Sequence, residues 1–429
     1  MLGYSGGGDS HALLLIASHW AKKKNRSLHA VIVDHGLRDG SAVEAERARG
    51  AADTLGVMAH IRTCSRALKP DTGIQVKARA MRYQAFAEMS GALKSDQVLL
   101  AHTADDQAET IWMRLLAGAG YRGLAAMSMD DPFPAPNSPM RILRPLLGAK
   151  RTGLRNWLAS QGANWIDDPS NQDRLHTRVR MRQMLATLEV AGLSISQITA
   201  LSGQCRDLSA DVSAQAGQLF LDTVALEIWG GVRLDHVKVL RAPKLVQRRL
   251  MEAAIAVATG QGPPFKRSGV DALLSGLTQK QAATGAGAAL IWNRSQPRLV
   301  RDPGMVLGRD TIDALDDQPV AELAGGTWDG RFQIRVTDTA NLRITSLNAV
   351  ASENSDALLA VPELARKTLP CVHAGGTILA IPGVITHPGV TFVHNGAALA
   401  RRCLFAGQAP AWFDASLQES AGFGSQMRG

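Results

Sequence analysis

A six-residue string close to the start of the chain narrows the possible folds more than any other part of the sequence. Its residues are Ser5, Gly6, Gly7, Gly8, Asp9 and Ser10. Residues 10–20, which follow, have the apolar density of a helix. Successive glycines let several backbone N–H groups turn toward one point, and the start of a helix adds positive potential there. The string therefore predicts a loop that binds phosphate between a short first strand and a helix.

The acidic residue inside this loop indicates a cation. Asp9 would repel a phosphate unless a positive ion lay between them, so we expect Asp9 to hold Mg²⁺. The loop lacks the lysine of the nucleoside-triphosphate P-loop, and it lacks the GxGxxG pattern of dinucleotide binders. A simple glycine turn capped by serine is the plainer interpretation of the same residues.

Alternating strand and helix patterns continue over the first 120 residues. Short apolar runs suited to buried strands lie at 28–33, 58–62 and 98–102, and helical patterns lie at 41–55, 75–91 and 104–116. This alternation predicts an α/β fold with a doubly wound parallel sheet, whose ligands bind at the carboxyl ends of the strands.

The later chain changes character twice, which suggests three domains. We expect a catalytic, nucleotide-binding domain at 1–190, a mainly helical domain at 191–303 and a small mixed α/β domain at 304–429. The second and third domains are predicted to contact the same macromolecular partner as the first domain.

Composition limits the classes of function. The 429 residues include no apolar run of the length that spans a membrane, so we expect a cytoplasmic protein without a membrane partner. Four scattered cysteines argue against a disulfide framework or a zinc site. The net charge is +9, and residues 1–190 hold 25 basic against 18 acidic residues, which favours a polyanionic partner.

Several side chains could carry chemistry at the strand ends. Asp106 and Glu109 are three residues apart on a predicted helix, so both carboxylates share a face that can bind an ammonium group or accept its proton. His35 and His102 follow predicted strands, and His102 could contact phosphates. Ordinary solvated side chains at a helix start are the plainer alternative.

A basic stripe is predicted further along. Arg174, Arg178 and Arg182 recur every four residues, with Arg180 between them, and on a helix they would suit RNA phosphates. A solvated basic face is the alternative.

The loop resembles the SGGxDS signature of the PP-loop ATP pyrophosphatases. Six further motifs follow in order: HGLR at 35–38, QVKARAMRYQAF at 75–86, AHTADDQAET at 101–110, GAGYRGL at 118–124, RPLL at 144–147 and DDPSN at 167–171. As a set they resemble the tRNA(Ile)-lysidine synthetase family, over residues 5–182.

The resemblance implies a reaction and its participants. ATP would adenylate the wobble cytidine of the tRNA(Ile) with a CAU anticodon, and free L-lysine would then displace AMP to give lysidine. ATP would lie on residues 5–10 with His35 and His102, and Mg²⁺ on Asp9. Lysine would lie on Arg82, Asp106 and Glu109, which together with Asp9 would be catalytic, and tRNA on the four arginines of the stripe.

Two other functions stay open on the sequence. One is a PP-loop tRNA thiolase, although such enzymes commonly use paired cysteines. The other is a non-catalytic tRNA-binding protein. A homodimer is also allowed.

Overall fold

The computed structural model describes residues 1–36, 40–63, 74–131, 140–166, 177–293, 295–304, 317–323, 327–337, 341–349, 356–406 and 409–419. The chain divides into two compact units, Met1–Ser209 and Ala210–Gly429. These two units do not test the three domains predicted at 1–190, 191–303 and 304–429, which remain a prediction.

The first unit alternates strands and helices, as predicted. Its strands are β1 (Leu2–Gly3), β2 (His29–Asp34), β3 (Met58–Thr63), β4 (Gln97–Leu99), β5 (Asp130–Asp131) and β6 (Arg141–Leu143). Its helices are α1 (Gly8–Lys23), α2 (Ser41–Thr54), α3 (Ile74–Leu93), α4 (Ala104–Leu116), α5 (Tyr121–Leu124), α6 (Arg151–Ser160) and α7 (Thr177–Val190), and α8 (Ile195–Thr223) continues into the second unit.

One six-stranded sheet has the order β3-β2-β1-β4-β6-β5, parallel except at β5. The two-residue β1 is central, because Leu2 pairs with Ala30 of β2 on one side and Leu99 of β4 on the other. Strand order reverses between β1 and β4, and ligands bind open α/β sheets at such a switch point. The predicted doubly wound α/β fold is confirmed.

Both faces of this sheet are covered. Helices α1, α2 and α6 bury Leu13, Ala48 and Leu158 on one face, and α3 buries Phe86 and Met89 on the other. Fully buried leucine, phenylalanine and methionine side chains such as these stabilise a fold by about 1.5–3 kcal/mol each. The packing holds the strand ends and the first turns of α1 and α4 in a fixed arrangement.

The second unit carries small antiparallel sheets and further helices. Its helices are α9 (His236–Arg241), α10 (Lys244–Thr259), α11 (Arg267–Gln279), α12 (Glu363–Arg366), α13 (Gly396–Phe405) and α14 (Ala411–Glu419). Its strands are β7 (Val224–Leu226), β8 (Val232–Leu234), β9 (Ala283–Gly285), β10 (Ala288–Asn293), β11 (Gln296–Arg301), β12 (Gln318–Pro319), β13 (Thr327–Trp328), β14 (Phe332–Val336), β15 (Arg343–Ser346), β16 (Pro370–Ala374), β17 (Thr377–Ala380) and β18 (Val390–His394). The sheet orders are β7-β8-β11-β10-β9, β12-β15-β16-β17 and β13-β14-β18.

Helix α10 forms the centre of the second unit. Nearly all of it is buried, and Leu404 of α13 and Phe413 of α14 belong to the same apolar core. Arg249 of α10 donates through Nη2 to the carbonyl of Leu404 at 2.8 Å. The last two helices therefore pack against the segment predicted as the second domain.

Within the described ranges, no single helix is both long and apolar enough to cross a membrane. The bent pair Arg180–Val190 and Ile195–Thr223, at 106° to each other, meets those limits only when its two helices are taken together.

Candidate active site

The glycine loop leaves the start of α1 open. The N-cap of α1 is Gly7, and no side chain among the described residues caps the helix. Gly6 has a φ of +81°, and a Cβ there would lie 2.8 Å from Cδ1 of Ile166. Ser10 Oγ donates to the Gly7 carbonyl at 2.8 Å. The first N–H groups of the helix are thus available for an anion, and position 6 of the loop requires glycine.

Three carboxylates meet at one guanidinium beside this loop. Arg151, at the start of α6, places Nε 2.9 Å from Oδ2 of Asp9, Nη2 2.9 Å from Oδ1 of Asp106 and Nη1 3.6 Å from Oε1 of Glu109. Arg182 of α7 also donates to Oε1 of Glu109, at 2.6 Å. The structure therefore brings Asp9 of α1 together with Asp106 and Glu109, which share one face of α4. We use the name carboxylate cluster for Asp9, Asp106 and Glu109 together with Arg151 and Arg182.

Helix caps hold the cluster in place. Thr103 is the N-cap of α4, and its N–H and Oγ1 both donate to Oδ2 of Asp106, at 2.9 and 2.8 Å. Asp105 accepts the backbone N–H of Arg151 at 2.8 Å and so ties the start of α6 to the start of α4. A cap of this kind stabilises a helix by about 1 kcal/mol and fixes the direction of its first side chains.

The cluster separates the pKa values of its carboxyl groups. Burial raises the pKa of Asp9 and of Glu109, and the neighbouring arginines offset this only in part. Burial also acts to raise the pKa of Asp106, but Arg151 and the two hydrogen bonds from Thr103 outweigh it and lower that pKa. Burial opposes the charge of Arg151, yet the carboxylates outweigh it and raise the pKa of this guanidinium. Asp106 and Arg151 are thus firmly charged.

Two carboxylate oxygens still lack a donor. Oδ1 of Asp9 and Oε2 of Glu109 are buried, and no hydrogen bond reaches either from the part of the chain that the structure describes. A buried acceptor without a partner is costly, so both atoms are suited to a bound cation or ammonium group.

The remaining strand-end residues lie at the same edge of the sheet. His35 follows β2, where burial and the charge of Arg82 lower its pKa, so Arg82 of α3 is a neighbour of His35. His102 follows β4, and its Nδ1 accepts from Nε of the buried Arg144 at 3.2 Å. The side chain of Arg82 is exposed.

The predicted arginine stripe is described in part. Arg174 and the side chain of Arg178 lie outside the described residues. Arg180 is exposed on α7, whereas Arg182 contacts Glu109 in the carboxylate cluster. Along this helix the two arginines thus have different surroundings.

Sequence reasoning missed Arg151, Thr103 and Asp105. The Thr-x-x-Asp spacing of residues 103–106 is a capping-box pattern and could have identified Thr103. No local signal marks Arg151, which is 142 residues from Asp9. Contacts between the first turns of α1, α4 and α6 bring them together.

Known proteins are similar to this chain in sequence. The PP-loop domain family model ATP_bind_3 matches residues 1–189. The tRNA(Ile)-lysidine synthase of Rhodopseudomonas palustris is 34% identical over 68% of this chain and 83% of its own length. The enzyme of the same name from Mesorhizobium japonicum is 34% identical over 81% of this chain and 75% of its own. Among solved structures, a U34-tRNA thiolase from Methanococcus maripaludis has a TM-score of 0.42 at 17% identity, over 48% of this chain and 70% of that one.

The open glycine loop, the parallel sheet and the family match define the first unit as a PP-loop, ATP-using domain. The relatives then identify the family: the chain belongs to the tRNA(Ile)-lysidine synthases. The resemblance stated from the motifs is confirmed.

Proposed function

We propose that this protein joins free lysine to carbon 2 of the wobble cytidine in the tRNA(Ile) with a CAU anticodon, using ATP. One observation carries the proposal: the carboxylate cluster lies directly beside an uncapped PP-loop helix, in a chain of this family. An anion site and an ammonium site side by side are what the two substrates, ATP and lysine, require.

ATP would lie on residues 5–10, with its phosphates at the start of α1. His35 and His102 border this position at the ends of β2 and β4. Asp9 fits a Mg²⁺ ion because its buried Oδ1 has no partner in the described structure. No group of three or more His, Cys, Asp or Glu among the described residues could hold a metal, which suits an ion bound by one carboxylate and substrate phosphates. That ion would offset the charge of the leaving pyrophosphate.

Lysine would bind at Glu109 and Asp106, with Arg82 nearby for its carboxylate. Both oxygens of Asp106 already accept hydrogen bonds, whereas no described residue donates to Oε2 of Glu109. We therefore assign Glu109 Oε2 to the ammonium group of lysine. Free lysine is mostly protonated near neutrality, since its ordinary pKa is about 10.4, so its ε-amine must lose a proton before it attacks. The raised pKa of Glu109 suits a proton acceptor.

The proposed reaction has two steps, adenylation of the cytidine and displacement of AMP by lysine. The 2-oxygen of cytidine attacks the α-phosphorus of ATP, and the bond to pyrophosphate breaks. The ε-nitrogen of lysine then attacks carbon 2 and loses its proton, and the bond from carbon 2 to oxygen breaks. AMP leaves with that oxygen.

Arg178 and Arg180 of α7 are proposed to hold tRNA phosphates. The reaction needs tRNA and ATP, so the cytoplasm is its expected location.

Transfer of radiolabelled lysine tests this proposal. The protein is incubated with ATP, MgCl₂ and a tRNA(Ile) transcript bearing CAU, and with a transcript whose wobble base is uridine as control. We expect label in the first transcript alone, with one AMP released per lysine. ATP turnover without label would instead indicate another adenylating tRNA enzyme, such as the thiolase alternative.

The variant Asp9→Ala separates catalysis from binding. It should abolish AMP release while tRNA affinity stays within about twofold of wild type. Wild-type protein that binds tRNA but neither releases AMP nor transfers lysine would indicate the non-catalytic alternative.

The homodimer that the sequence allows is part of the proposal. Sedimentation of the same preparation tests it, and the mass of a monomer would contradict it.

A further inference from the structure

One side chain occupies the space that the proposed ligands need. The guanidinium of Arg151 uses its three nitrogen atoms on three carboxylates, and its side chain is 17% exposed. Its backbone is held as well, because Asp105 accepts its N–H and the neighbouring Ala149 carbonyl accepts the N–H of Ala104. The contact is therefore built by α4 and α6 together.

The proposed function gives these carboxylates other cations to bind. Asp9 is assigned to Mg²⁺, and Asp106 with Glu109 to an ammonium group of lysine. Arg151 lies 2.9 Å from Oδ2 of Asp9, so a divalent ion on that carboxylate would face a positive charge at close range. Yet Oδ1 of Asp9 and Oε2 of Glu109 have no donor among the described residues, so Arg151 and Arg182 together leave two carboxylate oxygens of the cluster unpaired there.

We propose that Arg151 is an internal counter-ion of the nucleotide-free protein, and that it must release Asp9 before a divalent cation can bind there. Arg151 is thus a positioning residue. It holds Asp9, Asp106 and Glu109 at one point without substrates, and its release from Asp9 couples occupation of the ATP side of the site to the lysine side. The inference rests on the proposed function for the roles of the carboxylates, but not for the cation exchange itself.

Removing the guanidinium should turn the cluster into a cation site. Wild type and Arg151→Gln are titrated with MnCl₂ at pH 8, without ATP, lysine or tRNA, and free Mn²⁺ is measured by electron paramagnetic resonance. We expect the dissociation constant of Mn²⁺ to be at least tenfold lower in Arg151→Gln. Lys150→Gln removes the same charge from the neighbouring exposed residue and should bind Mn²⁺ as wild type does.

Two further variants keep the test decisive. Adding Asp9→Asn to Arg151→Gln should abolish the gain, since the ion would lose its carboxylate. If Arg151→Gln does not fold, Arg151→Lys is used, because a single ammonium cannot reach all three carboxylates, and its constant should lie between those of wild type and the glutamine variant. Equal Mn²⁺ affinity in wild type and the Arg151 variant would overturn the proposal, as would a gain that survives the Asp9 substitution.

The outcome is independent of the lysine-transfer assay. Tighter Mn²⁺ binding in Arg151→Gln with no lysine transfer by wild type would support the counter-ion role of Arg151 and contradict the proposed function. Lysine transfer by wild type with unchanged Mn²⁺ affinity would do the reverse.

Discussion

Glu109 is the residue whose replacement should separate the proposed use of lysine from that of ATP most clearly. Its side chain is 1% exposed, its Oε1 accepts a hydrogen bond from Arg182, and its Oε2 has no donor in the part of the chain that the structure describes. Glu109→Gln keeps the shape but loses the charge, and a hydrogen bond to a charged group contributes about 1.5–3 kcal/mol. We expect the KM for lysine to rise at least tenfold while the KM for ATP stays within twofold, measured by steady-state AMP release.

The control for this prediction is Glu46→Gln, on the exposed surface of α2. It should leave both constants unchanged. An unaltered lysine KM in Glu109→Gln would show that lysine binds elsewhere.

His394 should make the second unit sensitive to acid. Both of its ring nitrogens are buried without a hydrogen-bond partner in the described structure, and burial, with Arg331, lowers its pKa from 6.5 to about 3. Between these values the unfolded chain binds a proton that the folded one does not, so stability falls as pH drops below 6.5. At pH 5 this costs about 1–2 kcal/mol.

The variant His394→Phe should remove that dependence. We expect its free energy of unfolding in urea to fall about 1–2 kcal/mol less than that of wild type between pH 7.5 and pH 5. His236→Gln, at a half-buried histidine of the same unit, should follow wild type. Parallel pH profiles for His394→Phe and wild type would contradict the assignment.

Single residues were predictable where their neighbours in sequence carry the signal. Asp9 follows a glycine run, and Asp106 and Glu109 share a helix face, so their grouping is partly local. Arg151 is joined to them only through contacts that span 45 and 142 residues. Its role depends on the packing of α6 beside α4, which no pattern in its own segment specifies.

At the scale of an element, the glycine loop should be the least tolerant part of the first unit. Gly6→Ala places a side chain at a φ of +81° and a Cβ 2.8 Å from Ile166. The left-handed conformation alone costs about 1–2 kcal/mol for a residue with a Cβ. We expect the free energy of unfolding to fall by at least that amount and kcat/KM for ATP to fall at least tenfold.

Two companions divide this effect into its parts. Ile166→Val removes the atom that the new Cβ meets, so the double variant should regain the steric part of the loss and keep the backbone part. Gly50→Ala, within α2 and with open space around it, should instead stabilise the protein by about 0.5–1 kcal/mol. Full ATP use by Gly6→Ala would mean that the loop does not bind phosphate in this conformation.

The elements themselves were largely predictable, because their periodicity is local. The helix expected at 104–116 is α4, and the strand expected at 58–62 is β3 with one further residue. The central place of β1 follows from its two parallel neighbours, although only two residues pair. Buried strands of this length depend on the sheet around them, and their own composition says little.

At the scale of the whole molecule, the packing of the last two helices against α10 could not be predicted from the sequence. Helices α13 and α14 are amphipathic in an ordinary way, and nothing in their composition marks α10 as their partner. They join its core through Cys403, Leu404 and Phe413, and Arg249 donates to the Leu404 carbonyl. Apolar surface is complementary to many partners, so which one it covers depends on the path of the chain.

The charge of the molecule should be measurable as the salt dependence of tRNA binding. The net charge is +9, and residues 1–190 carry most of the basic excess. Replacing both Arg178 and Arg180 by Gln should weaken tRNA binding and flatten the plot of log affinity against log salt by about 1–2, since each lost phosphate contact lowers the slope by about 0.7–0.9.

Two matched variants decide whether this effect is local to the start of α7. Lys22→Gln with Lys23→Gln removes the same charge at the end of α1 remote from the loop, and should leave the slope unchanged. Arg182→Gln should raise the lysine KM more than it alters the slope, because its guanidinium lies on Glu109. A slope that falls equally in the lysine pair would mean that tRNA responds to net charge, whereas a fall confined to Arg178 and Arg180 would place phosphates on this helix beside the carboxylate cluster.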